Sequence, residues 1–213
     1  MEASRDPENP GNANERLSDE RNAERLAEFF AADGDTVVYF GKLLYNKGVH
    51  VLLDAMRDVD ARTVVVGFGD YRAELEALEP PRTLFTGPLE HRHLVHLLAL
   101  ADVTVVPSIF PEAFGMVAAE AAATGSPPIV ARHSGLAEIA DGLDSEYPSH
   151  LRDLTSFTTG DANDLSAKLR RLLALSPEDR RALREGARKA AVERWSWAGV
   201  AHRLLDTLGP GLL

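Results

Sequence analysis

Five short runs rich in β-branched and apolar residues punctuate the chain, at positions 37–40, 63–66, 83–86, 103–106 and 128–131. None of them alternates polar with apolar positions. Alternation marks a strand with one wet face, so these runs predict strands covered on both sides, as a parallel sheet requires. Between them the apolar positions recur at helical spacing. Val49, Leu52, Leu53 and Met56 make one stripe, and Leu94, Leu97, Leu98 and Ala101 another. Strand and helix alternating at these intervals call for right-handed crossovers. The fold class expected is α/β, a doubly wound, mostly parallel, Rossmann-like sheet with additional helices at the C-terminal end. Ligands of such sheets lie beyond the carboxyl ends of the strands, which directs attention to the residues from 41, 67, 87, 107 and 132 onward.

The flanks read differently. Residues 1–16 contain Pro7, Pro10 and Gly11 among Asn and Glu, and are expected to be a flexible leader or linker. Residues 17–30 carry Leu26, Phe29 and Phe30 on one face and predict a helix lying over the body. After residue 160 the period is helical. Leu165, Leu169, Leu172 and Leu173 form a stripe, Ser176 and Pro177 are an N-cap and first position, and Ser196 is expected to cap a last helix. The organisation predicted is a Rossmann-like domain over 17–160 with C-terminal helices from 161–213 packed on it.

Composition narrows the function. Hydrophobic residues at 45% and charged residues at 26% suit a globular domain of 213 residues. The absence of cysteine excludes disulfides, thiolate metal sites and thiol nucleophiles. The net charge is -10, and residues 36–160 hold sixteen acids against nine bases. That balance argues against a nucleic-acid partner, which needs clustered cations to displace counterions. Every apolar run is interrupted well short of a membrane span, and a cytoplasmic location is expected. Only four lysines stand against nineteen arginines, and two of the four, Lys42 and Lys47, bracket the turn after the first strand.

Two cations at the carboxyl end of a strand, next to a helix start, can converge on one anion such as a diphosphate. The second strand leads into Gly67-Phe68-Gly69-Asp70-Tyr71-Arg72, where Arg72 replaces the third glycine of a dinucleotide fingerprint. These glycines read as a turn or as a close backbone approach to a ligand. The segment from Pro107 to Gly125 is the richest: an irregular loop with Glu112, then Ala113, Phe114, Gly115 and Met116 opening an alanine-rich helix that contains Glu120. The helix start would present free N–H groups. Glu120, set among apolar residues, requires a partner, and vicinal ribose hydroxyls offer one; Glu112 would then lie toward the sugar end. The Asp33/Asp35 and Asp58/Asp60 pairs read as turn chemistry, and His91, His93 and His96 as surface histidines.

The run Glu112-Ala113-Phe114-Gly115 with Glu120 eight positions on resembles the paired-glutamate signature of family 4 retaining glycosyltransferases of the GT-B fold. Gly41-Lys42-Leu43, Lys47-Gly48, Gly67-x-Gly69, Gly87-Pro88-Leu89, Ala101-Asp102-Val103, Pro107-Ser108 and Ser134-Gly135-Leu136-Ala137-Glu138 resemble that family's C-terminal domain in order and approximate spacing. The likeness spans residues 36–142, with a looser helical match to residue 208. It implies a donor-binding half of a retaining glycosyltransferase, needing no metal or other cofactor and taking a nucleotide-sugar as donor. Glu112 is the implied catalytic residue. Gly41, Lys42, Lys47, Gly67, Ala113, Phe114, Gly115, Met116 and Glu120 are the implied donor-binding residues. The implied partner is an N-terminal Rossmann-like acceptor domain missing from this chain. Alternatives on the same architecture are a nucleotide-sugar epimerase or a non-catalytic binding module.

Overall fold

A computed structural model describes residues 19–31 and 33–208. The expected leader at 1–16 lies outside the described residues. Six strands form one sheet, β1 (Thr36–Lys42), β2 (Arg62–Phe68), β3 (Thr83–Gly87), β4 (Val103–Val106), β5 (Pro128–Ala131) and β6 (Ser156–Phe157), in the order β3-β2-β1-β4-β5-β6. Every pairing is parallel. The five predicted strands are present; β6, two residues long, has no apolar run to announce it.

Helices cover both faces: α1 (Asp19–Phe30), α2 (Val49–Ala55), α3 (Arg72–Leu78), α4 (His91–Leu100), α5 (Met116–Thr124), α6 (Ser134–Asp144), α7 (Ala162–Leu173), α8 (Pro177–Ala190) and α9 (Trp197–Leu208). The period-two rule of a strand divides the core between them. Val37 and Tyr39 of β1 face a cluster with Leu52, Leu53, Leu75, Leu136, Ile139, Leu165 and Leu169. Val38 and Phe40 face a second cluster with Leu94, Leu97, Leu98 and, from α1, Leu26, Phe29 and Phe30. Burying apolar side chains on both sides is what the unbroken strand runs required, at roughly 25 cal/mol per Å² removed from water.

The helix boundaries follow from their chemistry. Ser176 accepts from the Asp179 amide with Pro177 in the first turn of α8, and the Ser196 side chain accepts from the Gly199 amide to start α9. Asp161 caps α7 through the amides of Asn163 and Asp164. α5 ends at Gly125 with φ 85°, a left-handed conformation that glycine enters without steric cost.

β1 lies between β2 and β4, so the winding runs outward in one direction through β3 and then starts again on the other side of β1. β1 and β4 are neighbours at the point where the strand order reverses, and in a doubly wound sheet that point leaves a crevice at the carboxyl ends of the two strands.

Candidate functional site

Three segments build the crevice. The first is the turn after β1, carrying Lys42 and Lys47. It turns through Gly48 at φ 68°, where a Cβ would lie 1.9 Å from the carbonyl oxygen of Pro107. Only glycine permits this contact, which presses the Lys47 turn against the end of β4. The second is the loop from Pro107 to Gly115. The Ile109 amide donates to the Asn46 carbonyl at 3.0 Å, tying loop to turn. The third is the start of α5.

Together they enclose a cavity of about 610 Å³, lined by Tyr39, Gly41, Lys42, Lys47, Ser108, Glu112 and residues 113–117. Lys47 Nζ donates to Glu112 Oε1 at 2.6 Å, and the two side chains are 30% and 23% exposed. Ions this close and this dry make a charge-assisted bond stronger than a surface pair. Lys42 is exposed and makes no ion pair among the described residues. Below it, the Tyr39 hydroxyl donates to the Lys42 carbonyl at 2.7 Å. Burial, reinforced by the charge of Glu112, pushes the Tyr39 phenol far above its ordinary range, so it stays protonated and a donor.

The start of α5 opens on the same space. Its N-cap is Gly115 at φ 98°, and no side chain among the described residues caps the helix. The amides of Ala118 and Ala119 both return to the Gly115 carbonyl. Those of Met116 and Val117 precede the first intrahelical bond, and the helix dipole adds partial positive charge there. Two ammonium groups and these amides suit an anion; the carboxylate of Glu112, a few ångströms away, suits hydroxyl groups.

Eight of the ten expected site residues are thus brought together: Gly41, Lys42, Lys47, Glu112, Ala113, Phe114, Gly115 and Met116. Two are placed apart. Gly67 does not line the cavity; a Cβ there would fall 1.8 Å from the Gly41 carbonyl oxygen, so its role is close approach of β2 to β1. Glu120 also lies outside the lining. It is half-buried on α5, four residues beyond Met116 and hence on the same helical face, and has no hydrogen bond or ion pair among the described residues. The acidic pairs are engaged elsewhere, Asp35 with Arg180 at 2.6 Å and Asp60 with Arg82 at 2.7 Å. No three His, Cys, Asp or Glu side chains among the described residues are grouped to hold a metal ion. His91, His93 and His96 are exposed on α4.

Sequence reading missed Tyr39 and Val117. Tyr39 had a signal: a phenol within a buried aliphatic strand must find a polar partner for its hydroxyl. Val117 had none, since an apolar residue at a helix start is equally at home in a core.

Comparison with known proteins identifies the family and the fold. Residues 20–190 match the family model described as glycosyl transferases group 1. The chain is 33% identical over 186 residues to the D-inositol 3-phosphate glycosyltransferase of Xylanimonas cellulosilytica, covering 82% of this chain and 42% of that protein. It is 35% identical over 180 residues to the GDP-mannose-dependent alpha-(1-6)-phosphatidylinositol dimannoside mannosyltransferase of Mycobacterium tuberculosis, with coverage of 81% and 43%. The chain therefore spans less than half the length of these relatives. Among solved structures it superposes on Anabaena Alr3699/HepE in complex with UDP and glucose at a TM-score of 0.72 and 22% identity, covering 90% of this chain and 53% of that one. Sucrose-phosphate synthase from Thermosynechococcus elongatus gives 0.70 at 27% identity, with coverage of 89% and 47%. No helix among the described residues is long and apolar enough to cross a membrane.

Proposed function

The chain belongs to the glycosyl transferases group 1 family, and from that premise we propose that its β1/β4 crevice binds the nucleotide-sugar donor of a retaining, metal-independent sugar transfer. The observation that carries the proposal is the single cavity into which Lys42, Lys47, Glu112 and the uncapped start of α5 all converge. In this reading the diphosphate lies against the α5 amides and the two lysines. Glu112, the catalytic residue of the proposal, holds sugar hydroxyls, and Glu120, one turn further along α5, receives the ribose hydroxyls. The unpaired carboxylate of Glu120 supports that assignment, because a half-buried carboxylate gains most from two charge-assisted bonds at once.

Transfer breaks the bond between the anomeric carbon and the diphosphate oxygen, and negative charge grows on the departing phosphate. Lys47 carries three N–H donors, so it can keep Glu112 and still donate to that phosphate. Fixed cations and helix amides aimed at a growing charge stabilise it with little reorganisation. The clustering of these donors, with Asp35 and Asp60 bound to arginines instead, favours a site that works without a divalent ion. A relative twice as long as this chain supports a second domain as the carrier of the acceptor. The UDP and glucose named for the Anabaena structure support the donor class.

Calorimetric titration with UDP, GDP and ADP in EDTA tests the proposal. At least one is expected to bind, and Lys47→Ala is expected to weaken it by roughly tenfold or more, the cost of a hydrogen bond to a charged group. Absence of binding for all three would remove the proposed site.

A further inference from the structure

Glu112 is held from behind by a circuit of hydrogen bonds that runs through the start of α6. The Glu112 amide donates to Ser134 Oγ at 2.9 Å, and the Glu112 carbonyl accepts from the Gly135 amide at 2.9 Å. Ser134 Oγ lies 2.9 Å from His133 Nδ1, and His133 Nε2 lies 2.7 Å from the Ser108 carbonyl. A carbonyl only accepts, so Nε2 carries the proton. In the neutral ring Nδ1 is then an acceptor for the Ser134 hydroxyl. Ser108 is buried, and its own hydroxyl is shared between the carbonyls of Asn46 at 3.2 Å and Phe110 at 3.1 Å. Asn46 precedes Lys47, which closes the circuit on Glu112 at 2.6 Å.

Two further observations mark this as a built feature. Ser134 has φ 46°, in the left-handed region that a residue with a Cβ occupies only at a cost. Its hydroxyl is what the circuit uses. Beside it, a Cβ on Gly135 would fall 2.6 Å from the Ala113 carbonyl oxygen, so a glycine is needed for the start of α6 to touch the loop at all.

We infer that His133 and Ser134 are positioning residues that set the Glu112 carboxylate against the sugar and fix its distance from Lys47. The inference rests on the donor-site reading for its link to the sugar, but the holding of Glu112 stands without it. Neither residue lines the cavity, so both act through Glu112. Loss of either should loosen the sugar end of the site and spare the diphosphate end. Their effects should not add, because each removes a link of the same chain of bonds.

The test uses Ser134→Gly, His133→Ala and the double variant in the full 213-residue chain. Glycine accepts φ 46° without strain, so Ser134→Gly is expected to fold with an unchanged or higher Tm. Amide hydrogen exchange at Glu112 reads the holding with no ligand present. It should quicken by about three- to tenfold in each single variant, the range of one lost hydrogen bond, and little further in the double. With UDP, GDP and ADP and their glucose or mannose conjugates as probes, the ratio of conjugate to diphosphate Kd should rise by a similar factor while the diphosphate Kd holds. Ser134→Asn, which tolerates the left-handed region and keeps an acceptor, should restore part of both. Unchanged exchange at Glu112 in both single variants overturns the inference. Quickened exchange with an unchanged Kd ratio confines the two residues to loop stability and overturns their part in sugar placement. If no probe binds the parent chain, the donor-site reading fails, and the exchange rates still decide whether Glu112 is held in this way.

Discussion

At the scale of single residues, the ion pair between Lys47 and Glu112 changes what a substitution at Glu112 should do. The carboxylate neutralises the cation proposed to hold the phosphate. Glu112→Gln removes the charge with little change in shape and frees Lys47. Calorimetry should find the free nucleoside diphosphate bound as tightly as before or more tightly, and its sugar conjugate more weakly. A parallel loss for both ligands would contradict the assignment of Glu112 to the sugar. Lys42 and Lys47 were legible in the sequence as two cations bracketing the turn after a predicted strand, and Glu112 through its resemblance to a paired-glutamate signature. The clamp of Ser134 on Glu112 was not legible, because it depends on a backbone approach between loops 22 residues apart. Tyr147 offers a residue-scale test of packing. It is buried, its hydroxyl oxygen has no hydrogen-bond partner among the described residues, and burial pushes the phenol far above its ordinary range. Tyr147→Phe removes an unsatisfied polar atom and should leave stability to urea unchanged or raise it by about 1 kcal/mol; a loss above that would reveal a partner for the hydroxyl.

At the scale of elements, α8 is fastened to the amino-terminal edge of the sheet by arginines four residues apart. Arg180 reaches both carboxylate oxygens of Asp35 at 2.6 and 3.2 Å, Asp102 at 3.1 Å, and the Leu173 carbonyl. Arg184 donates to the Ala101 carbonyl at 2.6 Å, and Arg188 to that of Thr124 at 3.0 Å. The Arg180 and Asp35 side chains are 27% and 31% exposed, so Arg180→Ala strands a half-dry carboxylate and should cost roughly 2–3 kcal/mol in urea unfolding. A cost under about 0.5 kcal/mol would reduce the latch to a surface pair. Where α8 passes into the π-helical turn Ala191–Trp195, Glu146 accepts from Lys189 at 2.8 Å and Arg194 at 3.4 Å. The hydrogen bond from Lys189, with its charge and that of Arg194, holds the Glu146 carboxyl below its ordinary value of 4.5 despite burial. The folded state therefore binds this proton less readily than the unfolded chain. The resulting stability is present above pH 4.5 and drains away as the pH falls through the folded value. Glu146→Gln should flatten the acid side of a stability-against-pH curve relative to the parent; an identical slope would count against the pair. The partners of Arg180 were not legible in the sequence, since its contacts cross 78 and 145 positions.

At the scale of the whole molecule, function follows from the order of strands. Residues 41–47 and 107–117 meet only because β4 pairs with β1 on the side opposite β2. Periodicity foretold the parallel sheet and the helices, since each is a local property of the chain. It did not foretell which two strand ends would share a cavity: Gly67 at the end of β2 and Lys42 at the end of β1 are both expected on the ligand's side, and of the two only Lys42 lines the cavity. The central claim is that the diphosphate binds at the β1/β4 crevice. Chemical-shift mapping of backbone amides during titration with the nucleoside diphosphate that binds tests it most directly. The account predicts the largest shifts at Phe114, Gly115, Met116 and Val117, with smaller ones at Lys42 and Lys47. Shifts concentrated at Gly67, Phe68 and Gly69, with residues 114–117 unmoved, would contradict it.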